Sequence, residues 1–260
     1  MSAEIDLALN PPVATVTINR PDDQNRLMLE NLQELEAITA QLAASDDIQA
    51  VIFTGAGDTF FSAGLLNPDI RASLAKEEVL EIVFLANRVY DAIEALPQIT
   101  IAAINGTIMA GAVELALACD IRVAADDITM TMPEAKWGGF PGAGGPVRLP
   151  GVVGHGRAMD LIATGRTISV EEMDKYGLVE YIYPKSELRQ AAQCLAETIA
   201  ANGPLATRGA KRIAKTRFEA GFQAARDLSD HLRRELEYSE DVDEGIAAHQ
   251  EGRAAKFKGK

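Results

Sequence analysis

Apolar and polar positions follow two different periods along the first part of the chain. Over residues 14–18 every second side chain is apolar, which is the period of a half-buried strand. Over 28–42 the apolar side chains recur at intervals of three and four, which is typical of an amphipathic helix. Residues 51–54 form a short apolar run that ends at a glycine-rich turn, so we predict a buried strand there. The chain therefore begins as strand, helix and strand.

Strands and helices continue to alternate through the middle of the chain. The predicted elements are a helix over 77–95, a strand over 99–104, a helix over 111–118, strands over 120–124 and 129–132, a helix over 158–164 and a strand over 179–182. From residue 188 onward the sequence is helix-forming, with a polar outer face, over 188–199 and 204–251. This order predicts an α/β core over 1–190 with a largely parallel sheet, followed by a helical region over 191–260.

Composition excludes several classes of function. The 260 residues carry a formal net charge of −13, which would repel a phosphate backbone, so we expect no nucleic-acid partner. The apolar stretch 99–121 approaches the length of a membrane span, but it contains Glu114 and Asp120, which are costly in hydrocarbon. The first residues lack the features of a signal peptide, and Cys119 and Cys194 lie far apart. We therefore expect a cytoplasmic protein without membrane contact.

Glu114 is a carboxylate in a predicted helix whose other residues are small or apolar. Burying an ionised carboxylate without partners costs on the order of several kcal/mol, so Glu114 is either paired with an unseen cation or catalytic. Gly111 favours catalysis, because it offers an unpaired N–H at the helix start and has no side chain to block a ligand oxygen. The small-residue turn 61–65 offers a second such N–H, and two converging N–H groups would form an oxyanion hole.

A second carboxylate, Glu134, lies just before the glycine-rich run 138–145. The run lacks the ending of a phosphate-binding loop, so its glycines indicate a tight chain path beside a cavity. Glu134 is then either an acid at the edge of that cavity or a solvated loop acid. The histidines are scattered, which predicts no metal site, and no serine stands in a nucleophile elbow. Carboxylates are therefore the candidates for acid–base chemistry.

Several segments, in chain order, resemble the motifs of the crotonase superfamily, and most closely those of enoyl-CoA hydratases. They are Asn19-Arg20-Pro21 with Asn25, Phe61-Ser62-Ala63-Gly64, the stretch 110–120, Pro133-Glu134, the run 141–145, Thr164-Gly165-Arg166 and Tyr176-Gly177-Leu178-Val179. Met173 departs from the pattern, since the family commonly has Ala there. The resemblance implies an α/β fold, a crotonase-like spiral of ββα turns. It also implies a helical C-terminal region for trimerisation and pocket closure, in a homotrimer or a dimer of trimers (a hexamer).

The resemblance also implies an enzyme, an enoyl-CoA hydratase. Such a lyase reversibly adds water to the double bond of a 2-enoyl-CoA thioester, in fatty acid metabolism. Glu114 and Glu134 match the two catalytic glutamates of hydratases, and the N–H groups of Leu65 and Gly111 match the oxyanion hole. Coenzyme A would be part of the substrate, with no separate cofactor. The implied substrate-binding residues are Arg26, Ala63, Gly64, Leu66, Trp137 and Gly142, with 66–83 and Trp137 along the acyl chain.

Four positions depart from the family pattern for binding coenzyme A. Asp22 stands where the family often has Lys, and Leu66 where it usually has Asp. Near the C-terminus, His249 and Gly252 replace a Phe and a Lys. The cations that could take over the phosphate contacts are Arg26, Arg253 and the terminal lysines. The alternatives are a crotonase-fold C–C hydrolase or isomerase whose carbonyl substrate is not linked to coenzyme A, and a non-catalytic binding protein.

Overall fold

The computed structural model describes residues 4–202, 204, 207–212, 214–215, 234–235 and 237–253, and these have the predicted α/β organisation. The strands are β1 (Ile5–Asn10), β2 (Val13–Ile18), β3 (Ala50–Gly55), β4 (Phe60–Ser62), β5 (Ile99–Ile104), β6 (Thr107–Met109), β7 (Ile121–Ala125), β8 (Thr129–Thr131), β9 (Thr167–Ser169) and β10 (Tyr181–Tyr183). The helices are α1 (Leu29–Ala43), α2 (Pro68–Ser73), α3 (Lys76–Glu94), α4 (Gly111–Ala118), α5 (Gly145–Val153), α6 (His155–Thr164), α7 (Val170–Tyr176), α8 (Leu188–Ala200) and α9 (Glu240–Gln250). Pro21–Asp23 and Pro133–Trp137 form 3₁₀ helices.

The larger sheet has six strands in the order β1-β2-β3-β5-β7-β10. Only β1 and β2 pair antiparallel; the other neighbours are parallel. Every residue of β3 is buried, as are all but the first residue of β5, and α8 packs against both strands. The predicted, largely parallel sheet is confirmed.

The smaller sheet has four short strands in the order β4-β6-β8-β9. The chain repeatedly passes from a strand of the larger sheet to a strand of the smaller sheet and then into a helix. β3, β4 and α2 form one such turn, β5, β6 and α4 the next, and β7, β8 and the 3₁₀ helix Pro133–Trp137 a third. This is the spiral of ββα turns that the resemblance implied, and it brings the ends of successive turns to one side of the molecule.

The last described helices pack on different parts of this core. α8 lies against the larger sheet, and residue 190, where the α/β core was predicted to end, lies within this helix. α9 lies against α2 and against the 3₁₀ helix Pro133–Trp137. Much of the predicted 204–251 helical region falls outside the described residues. No helix among the described residues is both long and apolar enough to cross a membrane.

The sequence pattern missed the shortest elements and one strand's position. Strands β4, β6 and β9 have three residues each, too few for an alternating pattern to stand out. The last strand was predicted over 179–182 but begins at Tyr181, which pairs with Val123 of β7. The glycine run 138–145 is not entirely a loop, because α5 begins at Gly145 and accommodates Pro146 in its first turn. Strand β1 and helices α2 and α7 were also not predicted.

Candidate active site

Glu114 lies in the first turn of α4 and is 1% exposed. Its Oε1 accepts a hydrogen bond of 2.6 Å from the backbone N–H of Gly145, the first residue of α5. A helix start carries partial positive charge, so this contact places a carboxylate oxygen against a complementary N–H donor. A methyl group at Gly145 would lie 3.2 Å from that oxygen and 2.6 Å from Pro141 Cβ, so a residue without a side chain is required. Glu114 is therefore a buried carboxylate whose oxygen is held by a backbone N–H donor.

Glu134 is half-buried in the 3₁₀ helix that follows β8. Its backbone oxygen accepts a hydrogen bond of 2.9 Å from Gly139 N, and Gly138 adopts a left-handed conformation with φ of 72°. This tight turn folds the glycine-rich segment back over the glutamate. Glu134 is therefore fixed beside a cavity and is not a solvated loop acid.

One small cavity contains both glutamates in its lining. Its volume is about 40 Å³. A buried water needs roughly 10–15 Å³, so about three waters fit. The lining residues are Leu65, Leu66, Arg71, Val83, Ala110, Gly111, Glu114, Glu134, Trp137, Gly139, Phe140, Gly142 and Ala143.

Two backbone N–H groups border the same cavity, at Leu65 and at Gly111. The loop containing Gly64 packs directly on the start of α4, because a methyl group at Gly64 would lie 2.7 Å from Gly111 N. A methyl group at Gly111 would lie 3.4 Å from Leu65 N. Within the described part of the chain neither N–H donates a backbone hydrogen bond. The N–H of Gly111 belongs to the peptide that follows Ala110. Ala110 has φ of 50°, a strained conformation for a residue with a side chain.

Buried groups on α3 and α5 support the wall behind Glu114. The Arg148 side chain reaches Asp91 at 2.5 Å and Glu94 at 2.8 Å, and it also donates to Ala143 O at 3.4 Å. This network ties the start of α5 to α3. Tyr90 is fully buried, and its hydroxyl has no hydrogen-bond partner in the described structure. Burial, and secondly the charge of nearby Glu114, raise the pKa of Tyr90 well above its ordinary value.

Arg71 is a lining residue that the sequence analysis did not single out. It is 8% exposed and lies on α2, and its Nη2 contacts Glu237 Oε2 at 2.7 Å. Glu237 is 2% exposed and comes from the segment just before α9. The two residues are 166 positions apart in the chain, so local sequence carries no signal for the pair.

The predicted substrate-binding residues divide into two groups. Leu66, Trp137 and Gly142 line the cavity. Ala63 and Gly64 lie behind it, as does Arg26, whose guanidinium is buried and lies 3.4 Å from both Ala63 O and Leu65 O. Arg26 therefore supports the loop that carries the Leu65 N–H. Burial lowers the pKa of Arg26.

Of the positions that depart from the family's coenzyme A pattern, Leu66 lines the cavity, whereas Asp22, His249 and Gly252 are exposed. Asp22 is exposed in the first 3₁₀ helix, and His249 on α9 packs edge-on to Trp137 with ring centroids 6.3 Å apart. Arg253 forms ion pairs with Glu244 at 2.6 Å and Glu251 at 2.5 Å, so its charge is already compensated. The terminal lysines lie outside the described residues. Among the described residues no cluster of His, Cys, Asp and Glu has a metal-binding arrangement.

Comparisons with known proteins give a consistent picture over nearly the full length. Residues 9–260 match the family model described as enoyl-CoA hydratase/isomerase. The chain is 38% identical over 250 residues to the putative enoyl-CoA hydratase/isomerase YngF of Bacillus subtilis, covering 96% of each chain. It is 33% identical to the short-chain-enoyl-CoA hydratase of Clostridium acetobutylicum, covering 93% of this chain and 92% of that one. A crystal structure of enoyl-CoA hydratase from Bacillus anthracis superimposes with a TM-score of 0.80 at 37% identity, covering 99% of this chain and all of that one.

Proposed function

The chain belongs to the enoyl-CoA hydratase/isomerase family, and on that basis we propose that it is an enoyl-CoA hydratase, a hydro-lyase that adds water reversibly to a 2-enoyl-CoA thioester. The observation that carries the proposal is the joint presence of Glu114 and Glu134 in the lining of one small cavity. Two carboxylates facing a common space can hold a water and exchange its protons, which a hydration reaction requires.

The thioester carbonyl would bind at the N–H groups of Leu65 and Gly111. As water adds to C3, negative charge moves through C2 to that carbonyl oxygen, and the two N–H groups stabilise the enolate. The removal of one donor from such a hole typically costs about 10²–10³ in rate. A proton is then delivered to C2, so that one water is added across the double bond.

The surroundings of the glutamates suggest how they share this work. The Gly145 N–H holds Glu114 Oε1 in place, so Glu114 is fixed where it can take a proton from the water that adds to C3. Glu134 would deliver a proton to C2, and the proton on Glu114 would return to Glu134 through water, which restores both carboxylates. Because both groups exchange protons with the same water, we expect them to titrate as a coupled pair.

Coenzyme A remains the proposed carrier of the acyl group, despite the departures from the family's binding pattern. The support comes from the relative in Clostridium acetobutylicum, whose name, short-chain-enoyl-CoA hydratase, states a CoA thioester as its substrate. α9 packs on the 3₁₀ helix of Glu134, and we propose that the C-terminal region closes the acyl pocket.

Conservative replacement of each glutamate tests the mechanism. Glu114→Gln and Glu134→Gln each keep the side-chain volume and remove the titratable proton. Each should lower kcat for hydration of crotonyl-CoA about 10²–10⁴-fold, the usual contribution of general acid–base catalysis. The reaction is followed by the loss of the ultraviolet absorbance of the conjugated thioester.

Glu81→Gln is the matched control, because Glu81 is exposed on α3 and lies outside the cavity lining. It should retain wild-type hydration. Near-full activity in either cavity variant would refute the two-carboxylate mechanism. Product analysis separates the family's reactions, because hydration yields a hydroxyacyl thioester whereas isomerisation yields a thioester with a shifted double bond.

A further inference from the structure

Arg71 brings a positive charge into a cavity whose proposed chemistry needs only the two glutamates and the two N–H groups. The side chain is more than nine-tenths buried and lines the cavity together with Glu114 and Glu134. Burial of a guanidinium is costly unless its donors are satisfied. The placement therefore calls for an explanation beyond the hydration step.

The donors of Arg71 are only partly used. Nη2 contacts Glu237 at 2.7 Å, whereas Nη1, which lies beside Gly139 of the cavity lining, donates to none of the described residues. The guanidinium is a planar fork that commonly binds two oxygens side by side, so this one is half-filled. A second acceptor oxygen would complete it.

The guanidinium lies next to the turn that holds Glu134. A methyl group at Gly139 would lie 3.4 Å from Glu134 O and 3.7 Å from Arg71 Nη1. If the thioester carbonyl binds at Leu65 and Gly111, and C2 and C3 lie at the glutamates, an oxygen that reaches Arg71 must sit beyond C3 of the acyl chain.

Charge decides what kind of oxygen fits. Glu237 already neutralises Arg71, and Glu114 and Glu134 line the same cavity. A substrate carboxylate would add another negative charge to this set, and like charges in a poorly solvated space repel strongly. An uncharged carbonyl or hydroxyl oxygen can accept an Nη1–H without that repulsion.

We propose that Arg71 is a specificity residue, and that the preferred acyl group carries an uncharged oxygen beyond C3, bound by an Nη1–H of Arg71. This inference rests on the proposed function, because it takes the cavity to be an acyl thioester site. A plain alkyl chain would cover the Nη1–H groups without giving them an acceptor, and an unsatisfied donor of a buried charged group costs binding free energy.

Calorimetric titration with saturated thioesters tests the inference without turnover. The ligands are pentanoyl-CoA, 4-oxopentanoyl-CoA, 5-hydroxypentanoyl-CoA and glutaryl-CoA. We expect one of the two neutral oxygenated ligands to bind roughly tenfold more tightly than pentanoyl-CoA, the value of one hydrogen bond to a charged group. Glutaryl-CoA should bind less tightly than the better neutral ligand.

Two variants assign the preference to Arg71. Glu237→Gln keeps Arg71, whereas the double variant Arg71→Met with Glu237→Gln removes both charges and so avoids leaving a buried carboxylate without its cation. The tenfold preference should persist in Glu237→Gln and vanish in the double variant. Urea unfolding confirms that both variants are folded.

Several results would overturn the inference. It fails if pentanoyl-CoA binds as tightly as the oxygenated ligands, if the preference survives in the double variant, or if glutaryl-CoA is the tightest ligand of the wild type. Absence of binding by every thioester overturns it together with the proposed substrate class. The reaction is judged separately: a tenfold preference without hydration of crotonyl-CoA supports the role of Arg71 and refutes the hydratase.

Discussion

Gly64→Ala probes the contact that brings the two proposed oxyanion donors together. Gly64 has φ of 82°, in the left-handed region that disfavours a residue with a side chain. The added methyl group would lie 2.7 Å from Gly111 N and from Met109 O, and 3.1 Å from Ala110 Cβ. Backbone atoms cannot move aside as the end of a flexible side chain can. The substitution should therefore push the Leu65 loop away from the start of α4.

The expected effect has two parts of known size. The left-handed conformation costs alanine about 1–2 kcal/mol of folding free energy. The backbone overlap adds a further loss of stability, about 1–3 kcal/mol if it resembles overpacking of a core. Displacement of one N–H from the thioester carbonyl should lower kcat about 10²–10³-fold, since an oxyanion donor acts on the transition state.

Gly57→Ala is the matched control for backbone strain. Gly57 has φ of 75°. A methyl group added there would have Pro21 Cβ as its nearest neighbour, at 3.7 Å, which is an ordinary van der Waals distance. Urea unfolding should show a loss of about 1–2 kcal/mol in Gly57→Ala and a larger loss in Gly64→Ala. Crotonyl-CoA hydration should fall only in Gly64→Ala. If Gly64→Ala keeps kcat within a few-fold of the control, the proposed convergence of the two N–H groups is wrong.

Two further predictions concern the buried support of the site. Tyr90→Phe removes a buried hydroxyl without a hydrogen-bond partner, so urea unfolding at neutral pH should show stability unchanged or raised by about 1 kcal/mol. Burial raises the pKa of Tyr90 above 10.0 in the folded protein. Above that pH the Tyr90 hydroxyl ionises in the unfolded chain but not in the folded one, so the free energy of unfolding of the wild type falls. In Tyr90→Phe this free energy should fall less steeply with pH. Arg148→Met leaves Asp91 and Glu94 without their cation and should cost about 3–5 kcal/mol. A loss under 1 kcal/mol would show that Arg148 is not a structural support of α5.

The sequence pattern predicted the long elements of the fold because each of them buries a face. The strand over 99–104 and the helix over 111–118 were predicted at their observed bounds, and α1 and α3 within a residue or so. Of the four three-residue strands of the smaller sheet, β8 was predicted, whereas β4, β6 and β9 went undetected. Their pairing is fixed by the neighbouring strand across the sheet, and that neighbour is distant in the chain.

The sequence likewise indicated some residues of the candidate site correctly and misplaced another. Glu114 stood out in the sequence because a lone carboxylate in an apolar helix has few explanations, and Glu134 because it precedes a glycine-rich turn. The resemblance to hydratases then joined them into one hypothesis and pointed to Leu65 and Gly111. Arg26 was expected to contact substrate, but the structure places its guanidinium behind the Leu65 loop.

By itself the sequence determined the α/β class, the core strands and helices, and the identity of the two candidate catalytic acids, since all of these depend on local periodicity or on local motifs. Only the tertiary structure decided that the Glu114 carboxylate accepts a hydrogen bond from the first N–H of α5 and that Arg71 pairs with Glu237 inside the cavity wall. The physical reason is that burial and hydrogen bonding are set by segments that meet only after the spiral closes, and residues 166 positions apart leave no joint pattern along the chain.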